Sequence, residues 1–303
     1  MPLPGITGRA GELVVVMEEH LWNQPAGDSV FNTLAQHVYG LPQAEPTFNV
    51  VHIKTSAFTK IFQTHRNLVV VSIGEEHAKS IELKKDLWAT PQVVIKISAP
   101  NTKEFLDVFG NNADKIISHV LKHEQQRTLR SYNAQLNHDV VKHLKTEHGI
   151  DLSIPVGYNL VREEENFSWI RYETKDVMQS LLVFTEPYQR ENTFTKEGMT
   201  KVMNGFTRKY VQGKPPGSYM KVVTEYPPLM DESSLADVYA SKLVGLWDME
   251  KELMGGPLVA YAVLDKQRSQ VIYLYGFVFA PGKNKRNYVR QIDAIINSLG
   301  FTS

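Results

Sequence analysis

The sequence predicts an α+β protein of two units, each a mostly antiparallel sheet packed by helices. Three observations predict it. Short β-branched and aromatic runs recur in both halves, as in Glu12–Met17 and Val271–Phe279. A long stretch, Thr102–His148, repeats apolar residues at three- and four-residue steps. The chain has 303 residues, room for two domains of roughly 100–200 residues each. The change of pattern at Gly149–Asp151 sets the expected units at 1–150 and 151–303.

The elements follow in order. ELVVVM (Glu12–Met17), entered from Gly8 and Gly11, reads as a buried strand. Asp28 reads as a helix N-cap, with Val30, Phe31, Leu34 and Val38 on one face and Gly40 and Pro42 as the stop. Phe48–Lys54 and Asn67–Ile73 read as strands, with a helical turn at Phe58, Ile61 and Phe62 between them. VVIKIS, inside Asp86–Ser98, is a further strand. In the helical stretch Gly110-Asn111-Asn112 is a break, and Gly149 a C-terminal stop.

In the second half Tyr158–Val161, Phe167–Tyr172 and Leu181–Phe184 read as antiparallel strands. Thr195–Val211 reads as a helix, Gly213–Gly217 as a loop, Tyr219–Glu225 as a strand and Ser234–Val244 as a helix. Leu258–Leu264 and Val271–Phe279 form a hairpin. A closing helix shows Tyr288, Ile292, Ile295, Ile296 and Leu299 on its apolar face. QVVIKISAPNTK (Gln92–Lys103) and QVIYLYGFVFAPGK (Gln270–Lys283) share a strand, Ala-Pro, cap, helix order. The pair reads either as an internal duplication or as two unrelated strand–proline–helix junctions.

Composition removes several functions. Lys+Arg and Asp+Glu are both 33, so no basic excess points to nucleic acid. The absence of cysteine excludes thiol nucleophiles, thiolate metal sites and disulfides. No stretch approaches the ~18 apolar residues of a membrane span. No phosphate-binding Gly-rich motif and no G-x-S-x-G occur, and no cofactor is expected.

The remaining candidates are weaker. His119 and His123 share a helix face at a metal-clamping spacing, but Glu124 lies outside the pair, unlike H-E-x-x-H. A solvated helix face explains them better. Ser218-Tyr219-Met220-Lys221 matches S-x-x-K but leads into a strand, where Ser and Lys face apart. Gly255-Gly256-Pro257 precedes a strand, not a helix, and Pro257 lacks an N–H. It is therefore a poor phosphate cradle, and reads as a sharp turn or a close backbone approach. A site, if present, is expected around Trp169, Arg171, Tyr172, Trp247, Gly255, Gly256 and Pro257, with Arg171 taking an anionic group and the aromatics stacking. Arg66 is a second candidate. A core and rim of the sheet is the competing reading for these aromatics.

Several stretches have a family likeness: GRAGELVVVM (8–17), GLPQAEPTF (40–48), SAFTKIFQTHRN (56–67), FSWIRYE (167–173), GLWDMEKELMGGP (245–257) and GFVFAP (276–281). On these the chain resembles an uncharacterised family of Gram-negative cell-envelope lipoproteins, domain-of-unknown-function family 4837. The resemblance implies export and a lipid-modified cysteine just upstream of the Gly-rich start. With no cysteine here, either an anchor lies before Met1-Pro2-Leu3-Pro4, which is the expectation, or this member is soluble. The second half also resembles small folds in which an antiparallel sheet is backed by a closing helix, as in photosystem oxygen-evolving subunit P proteins. That likeness is architectural only. The expected function is a non-enzymatic binding or scaffolding protein of the envelope. Its partner would be another envelope protein or component, with membrane contact only through the lipid. The alternative is a hydrolase of envelope glycan or peptide, using carboxylates or histidines assembled by the fold.

Overall fold

Runs of Val, Ile and Leu that alternate between two covered faces build both sheets. The computed structural model describes residues 2–189 and 191–302. Its contacts divide the chain into one unit of residues up to 38 with 46–127, and another of 39–45 with 128 onward. The division falls after Arg127, inside a helix, rather than at the change of pattern near residue 150.

The first unit holds five strands: β1 (Glu12–Val16), β2 (Asn49–Ile53), β3 (Asn67–Ile73), β4 (Ser80–Lys85) and β5 (Val93–Ala99), in the order β2-β1-β3-β5-β4. Here the expectation of a mostly antiparallel sheet is corrected. β1 pairs in parallel with β2 and β3, and β3 with β5; β4 alone runs antiparallel. Helical connections permit this by returning the chain to the same end of the sheet. They are α1 (Glu19–Trp22), α2 (Pro25–Leu34) and α3 (Lys60–Gln63). Asp28 sits in the first turn of α2 and does not cap it. α4 (Thr102–Gly110) and α5 (Ala113–Asn133) follow β5, broken at the expected Gly110–Asn112. Leu13, Val15, Val69 and Ile95 pack with Phe105, Phe109 and Ile116 on one face. Val14, Val16, Leu68 and Val94 meet Phe58, Phe62 and Trp88 on the other.

The second unit begins with α6 (His138–His148), which ends on Gly149 at φ 65°. That left-handed conformation favours glycine at a helix C-terminus. β6 (Ile150–Asp151) and β15 (Gly300–Phe301) form a small ladder. The main sheet contains β7 (Asn159–Glu164), β8 (Phe167–Glu173), β9 (Met178–Pro187), β10 (Met220–Val222), β11 (Leu229–Leu235), β12 (Val238–Met249), β13 (Glu252–Asp265) and β14 (Gln270–Phe279). The order is β10-β12-β13-β14-β9-β8-β7, with β11 also on β12, all antiparallel. α7 (Lys196–Tyr210) covers one face through Met199 and Met203. α6 and α8 (Arg286–Ile296) cover the other through Leu144, Ile292 and Ile295. Residues 39–45 go with this unit because Glu45 caps α8. Its carboxylate accepts from the backbone N–H groups of Lys285 (2.6 Å) and Arg286 (3.0 Å), at the end where the helix dipole favours negative charge.

Two more expectations are corrected. Ser234–Val244 is a β-hairpin, not a helix: Leu235 pairs with Val238 around Ala236 and Asp237, both at positive φ. The internal duplication is not supported. β5 into α4 and β14 into α8 do share the strand–proline–helix order. Yet one strand belongs to a mainly parallel sheet and the other to an antiparallel one.

Candidate functional site

The residues singled out in the sequence do not converge on one surface. Successive residues of a strand face opposite sides. Trp169 and Arg171 therefore lie on the α7 side of β8, the guanidinium 5.7 Å from the indole centroid. Tyr172 lies on the other side, beside Tyr158 at 5.4 Å. Trp247 is core, 2% exposed, its Nε1 donating to the Val278 carbonyl at 3.2 Å. Gly255, Gly256 and Pro257 form no turn; they lie within β13, opposite Asp248, Trp247 and Leu246. The reading as a close backbone approach is the one that fits. A Cβ on Gly256 would sit 2.1 Å from the Val278 oxygen.

Arg66 is committed within the first unit. Its Nε and Nη2 each donate to the Glu124 carboxylate at 2.8 Å. Arg127 donates to the same carboxylate at 2.7 Å and to Asn67 Oδ1 at 2.6 Å. The network ties α5 to the first residue of β3. Ligands in open parallel sheets gather at the opposite, carboxyl ends of the strands. His119 and His123 lie side by side, ring centroids 4.4 Å apart and planes tilted by 46°. His123 Nδ1 reaches the His119 carbonyl at 2.9 Å, and both Nε2 atoms are buried without partners. Burial, then neighbouring positive groups, lower both pKa values. Among the described residues no group of three His, Asp or Glu is placed to hold a metal.

Two arrangements in the second unit escaped the sequence reading. One is a hydrogen-bonded cluster under α6. Ser168 Oγ on β8 lies 2.8 Å from His143 Nε2 and 2.7 Å from His148 Nε2. His143 Nδ1 in turn lies 3.9 Å from Glu163 Oε1. Burial, then the neighbouring His143, holds the His148 pKa at about 4, so this ring is neutral. Its Nδ1 is buried without a partner. A stranded N–H costs more than a bare ring nitrogen, so the proton belongs on Nε2, which donates to Ser168. The serine proton is then free to donate to His143. The resulting order, serine to histidine to carboxylate, is that of a serine nucleophile. Ser168, however, is 1% exposed beneath α6, and a substrate carbonyl has no path to Oγ.

A measurable consequence is acid lability. The folded-state pKa of His148 is depressed from 6.5 to about 4. Below 6.5 the unfolded chain therefore binds the proton first. Stability is expected to be fully present above that pH and to fall through the window down to about 4, by roughly 3 kcal/mol in all. Urea denaturation at stepped pH checks this: His148→Gln should flatten the slope, and an unchanged slope would contradict it.

The other arrangement is an open groove of about 960 Å³ beside α7. Its α7 wall presents Gly198, Lys201, Val202, Gly205, Phe206 and Lys209, one helical face at three- and four-residue steps. The facing wall comes from the β7–β8 turn and the end of β9, including Glu165, Asn166, Thr185 and Glu186. Helix interiors disfavour glycine by about 1 kcal/mol relative to alanine. A Cβ on Gly205 would nonetheless meet open space, so packing does not require glycine there. The sequence signal that was present, two glycines seven apart in a helical pattern, is weak by itself.

Family models match both halves of the chain, the larger match falling on this second unit. Residues 137–298 match the model of a domain of unknown function, DUF4837. The chain belongs to this family. A second model, another domain of unknown function (DUF8532), matches residues 7–133. The DUF4837 region contains both the Ser168 cluster and the groove. It also contains FSWIRYE, GLWDMEKELMGGP and GFVFAP, whereas the three earlier stretches fall within the DUF8532 match. The family thus covers the second half, not nearly the whole chain. No curated protein matches. Among solved structures, the chain is similar to LpqN, involved in cell envelope biogenesis of Mycobacterium tuberculosis, at 14% identity and TM-score 0.32, over 51% of this chain and 83% of that one. It is similar to the Saccharomyces cerevisiae Ran-binding protein Mog1p at 10% and 0.35, over 51% and 91%. For the lipid transfer and protein localization domain of human StarD13 the figures are 11% and 0.24, over 54% and 97%. At scores this low none of these likenesses bears on what the DUF4837 chain does.

Proposed function

We propose that this chain is a non-enzymatic binding module of the cell envelope that takes part of a partner into the groove beside α7. The observation that carries the reading is the groove itself. Its volume of about 960 Å³ lies at the upper end of the ~300–1,000 Å³ common for binding clefts. Its polar walls flank the half-buried Val202 and Phe206. Location at the envelope, and a lipid anchor in the native protein, rest on the family resemblance. Compatible with this, no helix among the described residues is long and apolar enough to cross a membrane.

The test uses a photo-crosslinking side chain at Val202 and, as control, at exposed Leu253, in the full-length protein in its native membranes. A discrete adduct is expected from Val202 alone. Gly205→Phe should abolish it by filling the groove. Because Gly205 has open space beside it, that variant should keep or gain about 0.5 kcal/mol of helix stability. Equal adducts from both positions, or none from Val202, would overturn the reading. The Ser168 cluster is what favours hydrolysis as the alternative, and the burial of Ser168 weighs against it.

A further inference from the structure

One acid on the groove walls has no counter-charge. Glu186, near the end of β9, is half-buried, accepts no hydrogen bond and pairs with no cation among the described residues. Burial raises its carboxyl pKa above the usual carboxylate range. Beside it the Tyr273 hydroxyl is buried without a partner, pushed upward by burial and then by the Glu186 charge. The other wall charges are disposed differently. Glu164 pairs with Arg162 at 2.9 Å, Lys209 Nζ lies 4.6 Å from the Tyr210 centroid, and Glu165 and Lys201 are exposed. A partly desolvated carboxylate without a partner costs free energy until a cation reaches it.

We infer that the occupant of the groove is an extended polypeptide segment that sets a lysine or arginine against Glu186. This rests on the groove being the binding site proposed above. The volume exceeds what a single ion or one side chain fills. Asn166 and Asn192 offer amide groups that match main-chain N–H and C=O groups. Gly205, whose Cβ direction is open, keeps the helix wall low there, so a peptide backbone can approach it closely; Gly198 is already covered by the Asn192 carbonyl. Phe206 supplies an apolar contact for a neighbouring side chain.

Phage-displayed random decapeptides selected on the full chain test the inference. Enrichment of a peptide with a fixed lysine or arginine is expected. Acetylating that lysine, or introducing Glu186→Gln, should weaken binding about tenfold, and salt should weaken it further. Glu186→Gln removes an unpaired charge, so its thermal midpoint should be unchanged or higher; that separates lost recognition from lost folding. Enriched peptides that lack a cation, or that bind Glu186→Gln equally well, would overturn the charge assignment while leaving the groove as a site. No enrichment over Gly205→Phe would overturn both.

Discussion

Glu124→Ala is expected to cost roughly 3–5 kcal/mol, because it leaves two buried guanidinium groups facing each other. The Glu124, Arg66 and Arg127 side chains are 8%, 14% and 7% exposed. Burial alone would raise the Glu124 pKa. The charges of Arg127 and Arg66, with the Asn67 hydrogen bond, outweigh burial and hold it below its usual value. The stabilisation is therefore present at neutral pH and is lost as pH falls through the depressed carboxyl pKa. Asn67 amplifies the effect. Its Nδ2 donates to both Glu124 Oε1 (2.7 Å) and the Glu12 carbonyl (2.8 Å), so one substitution loosens α5, β1 and β3 together. Urea unfolding measures the total, and hydrogen exchange of the β1 and β3 amides locates it. Replacing Glu124, Arg66 and Arg127 together by Leu and Met should restore most of the loss, since no charge is then stranded. A loss below about 1 kcal/mol for Glu124→Ala would mean that the pairs behave as solvated surface pairs.

Gly256→Ala is the second large effect, at about 3 kcal/mol. The added methyl would lie 2.1 Å from the Val278 carbonyl oxygen and 3.2 Å from Trp247 Nε1. That oxygen accepts the indole N–H, so displacing it strands a donor beside Phe277 in the core. The backbone must shift in the middle of a sheet, where it has little freedom. Gly255→Ala should cost less. Its methyl would meet the Trp247 oxygen at 2.8 Å, next to the irregular pairing at Asp248 and Met249, where the strands have room to adjust. Thermal unfolding ranks the two variants, and a red shift of Trp247 emission reports the lost packing. Equal stabilities for Gly256→Ala and Gly255→Ala would remove the close-approach account of this pair.

Where local chemistry dominates, structure was legible residue by residue. ELVVVM, NLVVVSI and VVIKIS are strands because β-branched residues fit a pleated sheet covered on both faces. Thr102–His148 is helical with the expected break after Gly110 and a second, unexpected one at 134–137 between α5 and α6. The misreading at Ser234–Val244 has a local cause. Its two-residue turn uses Ala236 and Asp237 at positive φ, where Asn-Gly or Asp-Gly is the usual signal. Without that signal Leu235, Val238 and Leu243 pass for one helical face. β4 was missed because SIELKK, an edge strand with exposed charges, lacks a buried run. For the candidate sites little was readable. Arg66 and Glu124 are 58 residues apart, and Ser168 and His143 are 25 apart. Neither spacing is a motif.

By itself, then, the sequence determined the α+β class, most elements, the Gly149 helix stop and the exclusion of thiol chemistry. These follow from side-chain periodicity, backbone restriction and composition, all of which act over a few residues or need no fold at all. Tertiary structure decided strand direction, the place where the two units divide, the commitment of Arg66 to Glu124 and the groove beside α7. Pairing direction depends on which edges meet across tens of residues, and an alternating pattern is the same in either direction. Whether a charge is free or paired depends on which distant group folding brings within about 3 Å of it. Glu186 and Arg66 look alike along the chain; only the packing of β9 against α7, and of β3 against α5, separates a carboxylate left without a cation from a guanidinium fully held.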